Sequence, residues 1–380
     1  FIDRRISGDE ISYQYHALFR EFLQDRARTH FSLAEFKEIR QLGAKLTEQS
    51  GEILAAAGLL AKAEDWQVFS EMINRQASSL LNQGRHQTLQ EAIAMLPEEI
   101  VSNEPWLLYW RGISYVLFDP QKAKDDFDKA FVGFQVTNDT PGLFLSCGEI
   151  IDAYFYSEDD IKPVIKWADQ LYHLLKHYGD FPSFDVEIKL MAKLQGLIFA
   201  APHHPLLEVF ERRLESALHS NISPLQKIAI TSTIIWLPMW RGDFRKTHWI
   251  IKETNLLLKA ITTLPPMLQI LWLNIESIYA WSTTAPHDFS DHIFQKALRI
   301  GQEHGISIFN VMLMSSGVYG ALAAGNVKFA RIYLEQFEAN LLMHRKHEIT
   351  QFYFLAAGIE FLEGNMPKAL ENALVALKLH

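Results

Sequence analysis

"AGNVKFA" (Ala324–Ala330) and "EGNMPKAL" (Glu363–Leu370) say the same thing twice. In each, an apolar run stops at a glycine and an asparagine stands where the next run begins. Glycine supplies the left-handed backbone that ends one helix, and asparagine caps the next through its side-chain oxygen. "RGDF" (Arg241–Phe244) does this with Asp243. The first two turns align at an offset of 39 residues, Gly325 onto Gly364, which sets Ala330 on Ala369, Leu334 on Ala373 and Phe337 on Ala376. Separately, Gly112, Tyr115, Ala123, Phe127 and Ala130 share the spacing of Gly358, Phe361, Ala369, Ala373 and Ala376. Small residues at two points with a bulky one between let antiparallel helices approach closely, the aromatic closing the gap. Past Phe31 almost every segment carries apolar residues at three-and-four spacing, broken by short Gly, Asn, Asp or Pro turns. Self-similarity at a fixed period predicts stacked helix pairs, an all-α solenoid, over a compact non-repeating helical domain.

The pair resembles the tetratricopeptide helix pair, one residue shorter across the turn than the usual repeat of about 34 residues. The fold class implied for residues 31–380 is a tetratricopeptide-like α-α superhelix. Composition is that of a globular protein: 380 residues, 48% hydrophobic and 21% charged. A net charge of −9, with acidic residues spread along the chain, repels phosphate backbones and argues against direct nucleic-acid binding. The single cysteine, Cys147, allows no internal disulfide, which fits a reducing cytoplasm. The most apolar run, Ile228–Trp240, is interrupted by Thr, Ser and Pro238, so no membrane span and no membrane partner are expected. No basic-apolar leader is present, and a first residue of Phe rather than Met predicts a fragment of something longer.

The front of the chain differs. "YQYHALFREFLQDRAR" (Tyr13–Arg28) runs from polar–aromatic alternation straight into helical spacing at Leu18, Phe19, Phe22 and Leu23. Phe1-Ile2-Asp3 through Ser7-Gly8-Asp9-Glu10-Ile11 predicts the other half of a β-hairpin. This stretch resembles the segment closing the winged-helix domain of MalT-like, LuxR-type ATP-dependent transcription activators, a branch of the signal-transduction ATPases. In that family an aromatic strand ends in a Tyr-His pair, here Tyr15-His16, followed by an "LFREFL"-type helix, here Leu18–Leu23. "LAKAEDWQVFSEMI" (Leu60–Ile73) and the stretch Leu80–Phe118 resemble the segments that lead into the family's superhelix. "GEILAAAGLL" (Gly51–Leu60) departs from the family's pattern.

The resemblance covers the chain to about Phe134 and implies a domain order: nucleotide-binding ATPase, winged helix, superhelical sensor, then a DNA-binding or other output domain. It makes residues 1–30 the end of the winged-helix domain and 31–380 the sensor. The ATPase and output domains become partners within the same polypeptide. Tyr15, His16, Phe19, Phe22 and Leu23 become the coupling between domains, with Phe19, Phe22 and Leu23 expected to pack against residues 31–60. No Gly-x-x-x-x-Gly-Lys-Ser/Thr phosphate cradle occurs, so no cofactor and no enzymatic activity are expected of this chain.

The residues that could carry chemistry are few. His173 and His177 are four apart, and His344 and His347 three apart with Glu348 adjacent, but neither pair completes a zinc tetrahedron. His203-His204 is a loop bracketed by prolines; Cys147 has no neighbouring base; Glu158-Asp159-Asp160 suits a solvated turn and helix cap. The tryptophans are more informative, since five of nine fall between Trp236 and Trp281. Pro238 removes a backbone donor there and should kink or end its helix, which can open a cleft. Trp236, Trp240, Trp249, Trp272, Tyr279 and Trp281, with Arg241, Asp243, Asn274 and Glu276, form either a groove for an effector or partner, or inter-helix core. Trp106, Tyr109, Trp110 and Tyr115 coincide with positions the helix pair needs for packing. Two functions remain: a sensor whose superhelix receives a small-molecule effector or regulatory protein, and a scaffold binding a protein or peptide. No lysine–arginine run along one helix face favours capture of acidic peptide termini.

Overall fold

The computed structural model describes residues 2–7, 10–116, 118–157, 162–262, 264–283, 287–306, 309–341 and 346–379. Phe1, Gly8, Asp9, Glu158, Asp159, Asp160 and His344, singled out above, lie outside the described residues. The chain divides into two compact units, Phe1–Trp110 and Arg111–His380, and the division falls inside a helix of the stretch assigned above to the superhelix.

In the first unit β1 (Ile2–Ser7) and β2 (Glu10–Tyr15) pair antiparallel, Ile2 opposite Tyr15 and Ile6 opposite Ile11. Then follow α1 (Ala17–His30), α2 (Leu33–Gln49), α3 (Ile53–Ala63), α4 (Trp66–Asn82), α5 (His86–Ala94) and α6 (Glu98–Asn103). The helix α7 (Pro105–Tyr115) spans the division. Ser32 and Glu35 form a reciprocal capping box at the start of α2, and Asp65 caps α4 by accepting from the Val68 amide. Leu60, Phe69, Met72, Ile73, Leu89 and Ile93 are fully buried between α3, α4 and α5.

The helix α1 does not pack as expected. Phe22 is 54% exposed and Leu18 and Leu23 are exposed too, while Phe19 is half-buried. The aromatics cover one another instead: Tyr15 meets Phe19 edge-on at 5.6 Å, Phe19 stacks on Phe22 at 6.4 Å, and the Arg26 guanidinium lies over Phe22. An exposed ring contributes little burial, so Phe22→Ala is expected to change stability by less than about 1 kcal/mol, read as an unchanged urea midpoint.

The second unit continues with α8 (Pro120–Thr137), α9 (Thr140–Ser157), α10 (Lys162–Tyr178), α11 (Phe184–Met191), α12 (Gln195–Ala200), α13 (Pro205–His219), α14 (Pro224–Ile234) and α15 (Trp236–Trp240). It ends with α16 (Phe244–Lys259), α17 (Pro266–Ser282), α18 (His287–Glu303), α19 (Asn310–Ala323), α20 (Val327–Asn340), α21 (Lys346–Leu362) and α22 (Met366–Leu379). Successive helices pack on one another as pairs, most extensively α8 on α9, α17 on α18, α19 on α20 and α21 on α22. Beyond the terminal hairpin, every regular element described is helical.

The three quoted turns close identically. Gly242, Gly325 and Gly364 take positive φ of 73°, 68° and 81°. The amide after each reaches back five residues, Asp243 to Pro238 O, Asn326 to Ala321 O and Asn365 to Glu360 O, at 2.8–2.9 Å. Each glycine amide reaches back three, which completes the Schellman pattern and satisfies carbonyls a helix end would otherwise leave bare. Asp243 and Asn326 then accept from the Lys246 and Phe329 amides. Within the first matched pair, Ala123, Phe127 and Ala130 are wholly buried, with the Phe127 ring against Gly112. In the second pair Ala369 and Ala376 are buried, but Phe361 is exposed.

Candidate functional site

The chain passes from α14 to α15 through Ile235, which keeps right-handed helical angles, so Ser232, Trp236 and Trp240 follow one another on one face. Pro238 has no amide to offer the Ile234 carbonyl, and α14 ends at Ile234 with α15 resuming at Trp236. Trp236 is buried and stacks on Trp240 with centroids 6.0 Å apart, leaving Trp240 54% exposed. From α12, Phe199 meets Trp236 at 5.7 Å and Trp240 at 5.9 Å. On its other side Phe199 stacks almost parallel on Phe155 of α9 at 5.8 Å, itself remaining 39% exposed. Four rings from three helices thus form one row. Gly196 of α12 lies close against α9, where an added Cβ would stand 3.1 Å from Ile151 O and from the Phe155 Cβ.

Beside this row are buried polar atoms that no protein group satisfies: Gln195 Nε2, Ser232 Oγ and Trp236 Nε1. Gln195 lies one turn before Phe199 on α12, and Ser232 one turn before Trp236. Thr233 Oγ1 donates to Ala192 O at 3.1 Å, which ties α14 to the segment leading into α12. Leaving such groups unpaired costs about 1–3 kcal/mol each, a cost that water or another polar group would relieve. Asp152 and Glu149 of α9, about one and two turns before Phe155, are buried and share the Lys193 ammonium at 2.8 and 3.1 Å. Burial pushes the Asp152 carboxyl up to about 6, with Lys193 opposing that rise and Glu149 adding to it.

The ten residues drawn from the 236–281 stretch do not gather at one place. Arg241 turns toward α13, donating to Glu211 at 2.9 Å and to Pro202 O at 3.0 Å; Lys246 joins Glu211 at 2.5 Å. With Trp249, Leu214 and Arg212 they line an open groove of about 680 Å³. Asp243 is spent on its cap. On α17, Trp272, Glu276 and Tyr279 face α16: Trp272 Nε1 donates to Asn255, and Tyr279 bonds His248 at 3.0 Å. Burial raises the Glu276 carboxyl, against hydrogen bonds from Asn255 and Trp272. Asn274 and Trp281 face α19 instead: Asn274 accepts from Ser316, and Trp281 stacks on Tyr319 at 5.6 Å. Tyr319 leads on to Phe354 at 6.5 Å, a second aromatic row.

Asn274 Nδ2 and Trp281 Nε1, at the second row, are likewise buried without a hydrogen-bond partner. His204 accepts from the Leu206 amide and meets Asp169 at 3.1 Å, and Cys147 is fully buried, which drives its thiol far up. Among the described residues, no three of His, Cys, Asp and Glu gather as a metal site. No described helix is long and apolar enough to cross a membrane. Phe155, Phe199, Gln195, Ser232 and Lys193 carry no local motif; they come near one another because α12 packs on α9 and on α15, into which α14 runs. No protein-family model matches the chain, and no curated protein matches its sequence significantly.

Proposed function

We propose that the chain is the sensor segment of a cytoplasmic regulator resembling the MalT-like activators. In this reading its helix pairs form a tetratricopeptide-like superhelix, and its hairpin and α1 are the tail of a winged-helix domain that connects to an ATPase. The effector seats on the row Phe155–Phe199–Trp236–Trp240, with Gln195, Ser232 and Trp236 supplying polar contacts. The single observation that supports this reading is an aromatic row open at Trp240 beside three buried polar groups without partners. Two of the three unpaired atoms, the Gln195 amide nitrogen and the Trp236 indole nitrogen, are donors only. The ligand class they suit is a ring compound with one apolar face and several acceptor oxygens, such as a sugar.

An effector shifts a regulator only if it binds one state better, and a tenfold preference is worth about 1.4 kcal/mol. The test is the thermal stability of the chain, with tryptophan fluorescence, against sugars, amino acids, nucleotides and phenolic compounds. A ligand at a hundred times its Kd adds about 2.7 kcal/mol, a readable rise in Tm. Trp240→Ala is expected to abolish both the rise and the quenching while leaving the ligand-free Tm nearly unchanged, since the ring is half in solvent. A chain that responds to no compound would instead be a scaffold for a protein or peptide partner.

A further inference from the structure

The outer face of α22 departs from the repeat in a direction that costs solubility. At the offset of 39 that superposes the two turns, Arg331, Glu335 and Glu338 of α20 correspond to Leu370, Leu374 and Leu377 of α22. The three leucines are 62%, 47% and 72% exposed. They recur at four- and three-residue spacing, which places them on one stripe, while Ala369 and Ala376 on the opposite side are buried. The position on α20 shows that stacking one pair on the next does not require leucine here: Arg331 meets α21 through Glu360 and Glu363, and Glu335 and Glu338 are exposed. An apolar stripe where the repeat tolerates charge marks a surface with its own partner.

The flanking charges point to which partner. Glu371 and Lys378 stand seven residues apart along one edge of the stripe, both exposed and in no ion pair among the described residues. In two parallel copies the edge carrying Glu371 and Lys378 would face the partner's edge carrying Met366 and Ala373, and neither charge would meet a counterpart. Two antiparallel copies related by a twofold axis near Leu374 set Glu371 of each opposite Lys378 of the other, with the leucines interleaved between them. We infer that the outer face of α22 is a homodimer interface, joining two copies of this chain through antiparallel α22 helices. A contact built on one helix from each copy lies at the small end of specific interfaces, so a dissociation constant on the order of micromolar is expected.

The experiment is sedimentation velocity of the 380-residue chain between about 1 and 100 μM, a range that brackets that constant. The expected result is a concentration-dependent shift from monomer to dimer. Leu370→Glu with Leu377→Glu should hold the chain monomeric throughout, with helicity and Tm unchanged because both residues are exposed. Glu371→Lys alone should weaken dimerisation at least tenfold, and adding Lys378→Glu should restore it. A chain monomeric at every concentration overturns the inference and assigns the face to another occupant, a further helix or a different protein. A dimer that survives the leucine changes, or a charge swap that fails to restore association, overturns it equally.

Discussion

Phe127→Ala is expected to cost about 3–5 kcal/mol, the range for deleting a fully buried ring that its surroundings cannot collapse around. The ring is wholly buried on α8 and fills the space left by Gly112 on α7. A Cβ built at Gly112 would stand 2.5–2.9 Å from three atoms of that ring, closer than any real contact. Gly112→Ala therefore also destabilises, because the ring must move within a packed site, at about 1–3 kcal/mol. The two sites are one contact, so their effects should not add. In a Gly112→Ala/Phe127→Leu double variant the smaller leucine leaves room for the new methyl. Its loss of unfolding free energy, from urea unfolding, should fall short of the summed losses of Gly112→Ala and Phe127→Leu by at least about 0.5 kcal/mol. Strict additivity would mean that the pair of small residues and the aromatic do not form the closing element of this helix pair.

The close approach of α7 and α8 was legible only in part: Gly112, Ala123 and Ala130 repeat as Gly358, Ala369 and Ala376, but the ring that fills the gap, Phe127, stands where the second pair has Ala373. The turns were legible because they are short-range: a glycine at positive φ and a capping Asn or Asp declare themselves within four residues. The candidate site was only half legible. Counting tryptophans between 236 and 281 finds density along the chain, but a helix sends neighbours to different faces. Trp272 and Tyr279 look toward α16, whereas Asn274 and Trp281 look toward α19. The partners of Trp236 and Trp240 are Phe199 and, through it, Phe155, which lie on helices tens of residues upstream with no motif of their own. At the front of the chain, helical spacing placed Phe22 on an apolar stripe, yet spacing does not supply a surface to cover it, and the ring stays largely in solvent.

Lys193→Met should be the most damaging single change near the aromatic row, and its cost should depend on pH. The ammonium lies 2.8 Å from Asp152 and 3.1 Å from Glu149, and both carboxylates are buried. Methionine keeps most of the stem's packing and removes the charge, which leaves two like charges on α9 without their shared counter-ion. Removing one partner of a buried ion pair costs about 3–5 kcal/mol. The Asp152 carboxyl in the folded chain already titrates at about 6, above its ordinary value of 3.8. A group held up in this way binds its proton more tightly folded than unfolded. Its favourable contribution is complete below the unfolded value and is lost as pH rises through about 6. Without Lys193 the upper end of that window moves higher still, because the ammonium is what opposes the rise. The loss measured from urea midpoints should therefore be largest near pH 8 and shrink markedly toward pH 5, where Asp152 is protonated in both proteins. A small loss, equal at the two pH values, would show that the Lys193 charge does not stabilise the α9 carboxylates. A loss that shrinks in acid makes it the counter-ion of the α9 carboxylates, the nearer of them one turn from the ring on which the proposed ligand row begins.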